Sequence, residues 1–349
     1  MTSFRKWWEK VRAEIKSSPT YYILLAAILL LALFVRVYRI EEYLGFYYDQ
    51  GRDALVIWKF WHEGRPFLIG PVTGLAGIFL GPLYYYLIAP FYLIGGGNPV
   101  APTLFLASLS AVAIFSLYFL GCKFYSRATG LIAATIGAFS YELVKAGRWL
   151  ANPTPILLTS MLLLWSMWGI VTYERKVTGP KGLGPGGWWM SIALLVGISL
   201  QLEAASAVFY LPMILVFAVW QRKKLPDKKI LLISIVVFLA TFLPQIAFNF
   251  RHENILFNNF KRVLIEEQSF RLSFWEVLGA RLDSFWSVFY SKILPNWPVY
   301  SAIFALIVAG VLITEKKSQQ LKEAIKLLLI FLAVPMIGFV AFQGNFGNI

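Results

Sequence analysis

Two carboxylates four residues apart, Asp49 and Asp53, flank a guanidinium, Arg52, in the stretch YYDQGRDA at residues 47–54. If the chain is helical from Gln50 onwards, that spacing puts both carboxylates on one face with Arg52 beside them. Such a group can take a proton from an acceptor hydroxyl or hold a divalent cation. A solvated helix start, with Asp49 as N-cap and Asp53 in the first turn, would use the same residues without chemistry. What favours chemistry is position: the stretch follows an apolar run at residues 21–38, so the cluster stands where the chain leaves a membrane. Asp49 is the leading candidate for a base.

Three further polar groups sit just beyond apolar runs: Arg148 and Asn152 in KAGRWLANPTP, Gln201 and Glu203 in GISLQLEAAS, and Arg251 and His252 in NFRHEN. Groups there are costly unless they pair or line a polar cavity. Snorkelling accounts for a lone arginine, but not for Gln201 with Glu203 in one short loop. His62 and His252 lack the spacing of a zinc site, so no metal ligands are assigned. A divalent cation at Asp49 and Asp53 stays open. No P-loop, dinucleotide fingerprint or G-x-S-x-G elbow is present, which argues against nucleotide hydrolysis.

The elements that must position these groups are membrane helices. Of 349 residues, 58% are hydrophobic and 14% charged, and several apolar runs reach the roughly 17 to 25 residues that cross a bilayer. The class is an all-α polytopic membrane protein, because backbone in lipid must satisfy its own hydrogen bonds. About nine spans are expected, near 21–38, 101–121, 129–146, 154–172, 188–203, 205–220, 230–247, 297–314 and 325–342. The net charge of +14 comes from basic residues scattered between spans, a loop-anchoring pattern that does not suggest nucleic acid as a partner. The single cysteine, Cys122, excludes an internal disulfide. A basic start before the first run resembles a signal peptide but lacks a cleavage site, so an uncleaved first helix is expected.

Topology turns on residues 78–94, IFLGPLYYYLIAPFYLI, which are long and apolar enough to cross. If they do not cross, more than half of the 32 Lys and Arg fall on the inner side, including RKKLPDKK and EKKSQQLKEAIK. The segment therefore lies along or dips into the outer face, its helix interrupted at Pro82 and Pro90, with Tyr84-Tyr85-Tyr86 at headgroup level. The N-terminus is then cytoplasmic in a plasma-membrane protein. Residues 39–100 form a first outer loop with juxtamembrane helices. Residues 248–296 form a second, containing an amphipathic helix in SFWEVLGARLDSFWSVFY. GPKGLGPGG at residues 179–187 reads as an inner linker.

With DQGRDA at 49–54, GPLYYYL at 81–87 and AGRWLANP at 146–153, the chain resembles glycosyltransferase family 39, the protein mannosyltransferase and aminoarabinose transferase group with the GT-C fold. The resemblance implies one GT-C-type domain over residues 1–349 and a sugar transferred from a polyprenyl-phosphate donor to a protein, lipid or glycan acceptor at the outer face. It implies Asp49 as catalytic base, Arg52 near the lipid phosphate, and Arg148 in a motif packed beside the site. Asp53, Tyr84, Asn152, Gln201, Glu203, Arg251 and His252 complete the expected substrate-binding set. The chain departs from the family pattern at Gln50, usually glutamate, at Gly81, where some relatives carry a phosphate-binding lysine, and at Asn152, often aspartate. Relatives also continue through further helices, so a C-terminal truncation is expected. A lipid or sugar transporter, with its ionisable groups near the midplane, and a non-catalytic subunit that binds lipid-linked glycan are the alternatives.

Overall fold

The computed structural model describes residues 2–74, 77–173, 184–262, 274–293, 297–314 and 318–341. Every regular element among them is helical, apart from a lone bridge between Val72 and Phe79. In chain order the helices are α1 (Thr2–Ser17), α2 (Pro19–Val37), α3 (Ile40–Tyr43), α4 (Tyr48–Glu63), α5 (Leu83–Ile94), α6 (Val100–Phe124), α7 (Arg127–Phe139), α8 (Tyr141–Gly147) and α9 (Ile156–Val171). They continue as α10 (Pro185–Leu202), α11 (Ala204–Ala207), α12 (Tyr210–Trp220), α13 (Lys228–Ala240), α14 (Leu243–Arg251), α15 (Ile255–Lys261), α16 (Phe274–Ile293), α17 (Pro298–Thr314) and α18 (Gln319–Ala341).

Helices lie at all nine expected spans, but several are broken or short. Length and composition alone support three crossings, Pro19–Val37, Val100–Phe124 and Gln319–Val340, or five if each bent pair counts as one. The expected span at 129–146 is cut at Ser140 into α7 and α8. The span at 230–247 bends by 55° between α13 and α14, where Pro244 cannot donate to the carbonyl four residues back. The linker expected at residues 179–187 is shorter, since α10 already begins at Pro185; residues 179–183 lie outside the described residues. The expected amphipathic stretch within residues 248–296 falls on α16, turned 90° from α17.

Residues 78–94 yield only the twelve-residue α5. At about 1.5 Å per residue it is far shorter than a hydrocarbon core of roughly 30 Å. The headgroup placement of its tyrosines is corrected: Tyr84 and Tyr85 are buried, and Tyr86 alone of the three is exposed. The side chains Tyr84, Tyr85, Ile88, Ala89 and Tyr92 form one inward face, packed with Ile57, Leu106, Leu150 and Leu202. That face makes α5 the shelf on which α4 rests.

One interaction in the bundle has no counterpart in the sequence reading. Arg36, in the last turn of α2, is fully buried. Its Nε donates to Ser110 Oγ at 2.9 Å, Nη1 to the carbonyls of Ala32 and Ala138 at 3.0 Å each, and Nη2 to the Gly137 carbonyl at 3.1 Å. Gly137 and Ala138 are among the last carbonyls of α7, which have no partner within their own helix. A cation there also meets the negative end of the helix dipole. Room for it comes from Gly147, where an added Cβ would lie 2.5 Å from Ser110 Oγ and 3.1 Å from Arg36 Nε. Replacing Arg36 with leucine is expected to cost on the order of 1–3 kcal/mol for each acceptor left unpaired. A melting curve of the detergent-solubilised variant that overlays the wild type would remove Arg36 as the staple of α2, α6 and α7.

Candidate functional site

The helix α4 begins one residue before Asp49. Its N-cap is Tyr47, so Asp49 falls in the first turn and not at the cap. Gln50 does the capping, with Oε1 accepting from the Tyr47 amide at 3.0 Å while Nε2 donates to the Leu150 carbonyl at 3.0 Å. Gln50 is 4% exposed, so its bond to Leu150 is sheltered from water. A glutamate here could accept from Tyr47 but, ionised, could not donate to Leu150. The departure from the acidic pattern thus has a structural reason. At its other end α4 stops at Gly64, whose φ of 66° is the left-handed conformation that glycine reaches without strain.

Asp49, Arg52 and Asp53 come together as the sequence predicts, with Arg52 as the bridge. Its Nη1 donates to Asp49 Oδ1 at 2.8 Å, and its Nε and Nη2 donate to Asp53 Oδ1 at 2.9 and 2.8 Å. The two carboxylates differ in setting. The Asp49 side chain is 67% exposed and that of Asp53 only 7%, so Asp49 is the one an acceptor can reach. Asp53 also receives the Tyr85 hydroxyl at 2.9 Å. Burial raises the Asp53 carboxyl above its usual range, against the opposing pull of Arg52 and Tyr85. Polar clasps therefore hold α4 to the bundle: Gln50 to Leu150, Asp53 to Tyr85 and, towards its other end, Trp61 Nε1 to the Ala89 carbonyl at 3.4 Å.

The remaining expected site residues are mostly committed elsewhere. Arg148 donates to the carbonyls of Val35 at 3.2 Å and Tyr38 at 2.8 Å, closing the end of α2, and lies over the Tyr43 ring at 4.9 Å. Asn152 donates to the Leu202 carbonyl at 2.6 Å, at the end of α10. Gln201 accepts from the Leu83 amide at 3.2 Å and donates to the Thr241 carbonyl. Glu203 caps α11, accepting from the amides of Ala205 and Ser206 at 2.8 Å each. Tyr84 is fully buried, its hydroxyl without a hydrogen-bond partner among the described residues. Arg251 and His252 are exposed at the end of α14. His252 stacks on Phe248 at 4.0 Å, and no described contact brings either residue to Asp49.

Gly81 is explained by the same packing. An added Cβ would lie 2.4 Å from Gln201 Oε1, so no side chain fits there unless Gln201 moves. Among the described residues, no group of three or more His, Cys, Asp or Glu is arranged to hold a metal. Sequence reasoning missed Tyr85 as the partner of Asp53; its only signal was a place in a run of three tyrosines.

Residues 80–248 match the family described as dolichyl-phosphate-mannose-protein mannosyltransferase. That match supports a GT-C-type membrane glycosyltransferase. No curated protein matches it. The family match takes in α5 to α13 and most of α14, with Tyr85 and Leu150, but begins after Asp49, Gln50, Arg52 and Asp53. Those four join the matched region through the clasps to Leu150 and Tyr85.

The raised Asp53 carboxyl gives a pH test. A carboxyl that holds its proton more tightly folded than unfolded contributes stability at low pH and loses it as the pH rises through the folded pKa. As pH falls through the mildly acidic range, the wild type should therefore gain thermal stability relative to Asp53→Asn. Parallel melting profiles for the two proteins would contradict a buried, titrating Asp53.

Proposed function

We propose that the chain transfers a sugar from a polyprenyl-phosphate donor to an acceptor hydroxyl at the extracytoplasmic face, with Asp49 as general base. The observation that carries this reading is the asymmetry of the acidic pair. One carboxylate is open to an acceptor, the other is sunk against α5, and a single arginine joins them. The family match over residues 80–248 supports the reaction class.

In the proposed step an Asp49 oxygen takes the proton of the acceptor hydroxyl as that oxygen attacks the anomeric carbon. The bond from that carbon to the donor phosphate breaks, and the electron pair leaves with the phosphate. Attack opposite the leaving group inverts the anomeric centre. The Arg52 guanidinium has N–H groups left beyond its bonds to Asp49 and Asp53, and they offer the departing phosphate charge-assisted hydrogen bonds. Donor and enzyme meet at the interface because the carrier lipid cannot leave the membrane.

Arg36 bears on the transporter alternative. It is a charge among apolar helices, the kind of group that a translocation pathway uses. It is closed off by carbonyls of α2 and α7 and by Ser110, which makes it a packing element and favours surface chemistry over transport.

The test is incubation of the full-length protein in lipid with labelled polyprenyl-phosphate sugars and candidate acceptors. Asp49→Asn should lower transfer by about 10²- to 10⁴-fold, the usual contribution of a general base, with expression and membrane insertion unchanged. Wild-type rates in that variant would dismiss Asp49 as the base.

A further inference from the structure

Asp49 is placed by a single contact. Its carboxylate stands open to solvent, and among the described residues its hydrogen-bond partner is Arg52, through Nη1 at 2.8 Å. An exposed pair of this kind holds little by itself, so Asp49 is only as firmly placed as the arginine. Helix α4 turns Gln50, Asp53 and Ile57 inward and leaves Tyr48, Leu55 and Lys59 exposed, with Arg52 part-buried. The clasp at Gln50 fixes the backbone of α4 without touching Arg52. What fixes the guanidinium is Asp53 Oδ1, which accepts from both Nε and Nη2.

The same oxygen accepts a third bond, from the Tyr85 hydroxyl at 2.9 Å. Tyr85 is buried on α5, with its ring centroid 5.3 Å from that of Phe67 and 6.1 Å from that of Tyr84. Packed in this way, the hydroxyl holds its place whatever the Asp53 side chain does. Tyr84 and Tyr92 share the buried face, yet their hydroxyls have no partner among the described residues. A series of bonds thus runs from Tyr85 through Asp53 and Arg52 to the open carboxylate of Asp49.

We propose that Tyr85 is a positioning residue for the reaction: it locks Asp53 onto Arg52, and Arg52 then holds Asp49 where an acceptor hydroxyl can meet it. The proposal rests on the reading of Asp49 as general base and adds Tyr85 to it.

Among the described residues, the titratable and charged groups that face Asp53 are Arg52 and Asp49 of its own helix and Tyr84, Tyr85 and Tyr92 of α5. Burial, and after it the charge of Asp53, pushes all three hydroxyls up, so they stay neutral and Tyr85 stays a donor. A donated bond favours the charged form of its acceptor. Without the Tyr85 hydroxyl, Asp53 takes up its proton at a higher pH and lets go of Arg52 there.

The experiment follows the full chain in lipid nanodiscs with a labelled polyprenyl-phosphate sugar across about pH 4 to 8, which brackets a raised carboxyl. In the same samples carbodiimide-driven amine coupling, read by mass spectrometry at Asp49, reports how freely that carboxyl protonates. Tyr85→Phe keeps the ring. It should lower transfer at least about tenfold, as expected of a misplaced base, and move the acid limb of the profile upward by about one pH unit, the weight of one bond to a charged group. Coupling at Asp49 should become severalfold faster. Tyr92→Phe, which removes a buried hydroxyl without a partner, should match the wild type in both readouts. Tyr85→Phe combined with Asp53→Asn should be no slower than Asp53→Asn alone, because the two residues act in series.

A wild-type acid limb and coupling rate in Tyr85→Phe overturn the positioning role, as do the same changes in Tyr92→Phe or additive losses in the double variant. A protein that transfers no sugar, but whose Asp49 coupling responds to Tyr85→Phe and not to Tyr92→Phe, supports the lock and overturns the transferase reading. One that transfers sugar with limb and coupling unmoved by Tyr85→Phe overturns the lock and leaves the transferase reading standing.

Discussion

A helix ends with four carbonyls that its own backbone cannot satisfy, and where an end is buried in the bundle or in the hydrocarbon core water is not there to help. Much of this protein's polar chemistry answers that constraint. Arg36 serves the end of α7, Arg148 the end of α2, Asn152 the end of α10, Gln201 the residue after α13, and Lys224 the last turns of α9. Each reaches across from another part of the chain, so the bonds that finish one helix also fix its neighbour. Small residues bring the backbones close enough, as at Gly121, where an added Cβ would lie 2.7 Å from Gly130 Cα.

Capping work of this kind leaves few polar groups free for substrate. Arg148, Asn152, Gln201 and Glu203 stand at one end of the bundle as the sequence suggests, yet their bonds point into the scaffold. Outside that girdle lie the exposed stripe of α4 and the open carboxylate of Asp49. The family match therefore covers the frame, and the short helix laid on it holds groups that face outward.

The all-helical class was legible because apolar runs and scattered basic loops leave a strong pattern, and the acidic motif because Asp49, Arg52 and Asp53 are local in sequence. Breaks such as the one at Ser140 were not legible, since residues 129–146 carry no proline to mark it. Arg36 was hidden inside an apolar run, where nothing local announces that α7 ends against it. The polar residues at span ends were legible as a group but not by role. A side chain that caps a distant helix and one that binds a ligand leave the same trace in sequence, and only the positions of the carbonyls separate them. Tyr85 was invisible for the same reason, its partner lying 32 residues back along the chain.

Gln50 and Asp53 spend their side chains on Leu150 and Tyr85, and the rest of α4 is free of such duties on its outer stripe. The helix behaves as a cartridge pinned along its inner side. Residues on its outer stripe can be exchanged without refitting the bundle, so selection for a new acceptor or carrier can rewrite Tyr48, Leu55 and Lys59 while the helices beneath stay as they are.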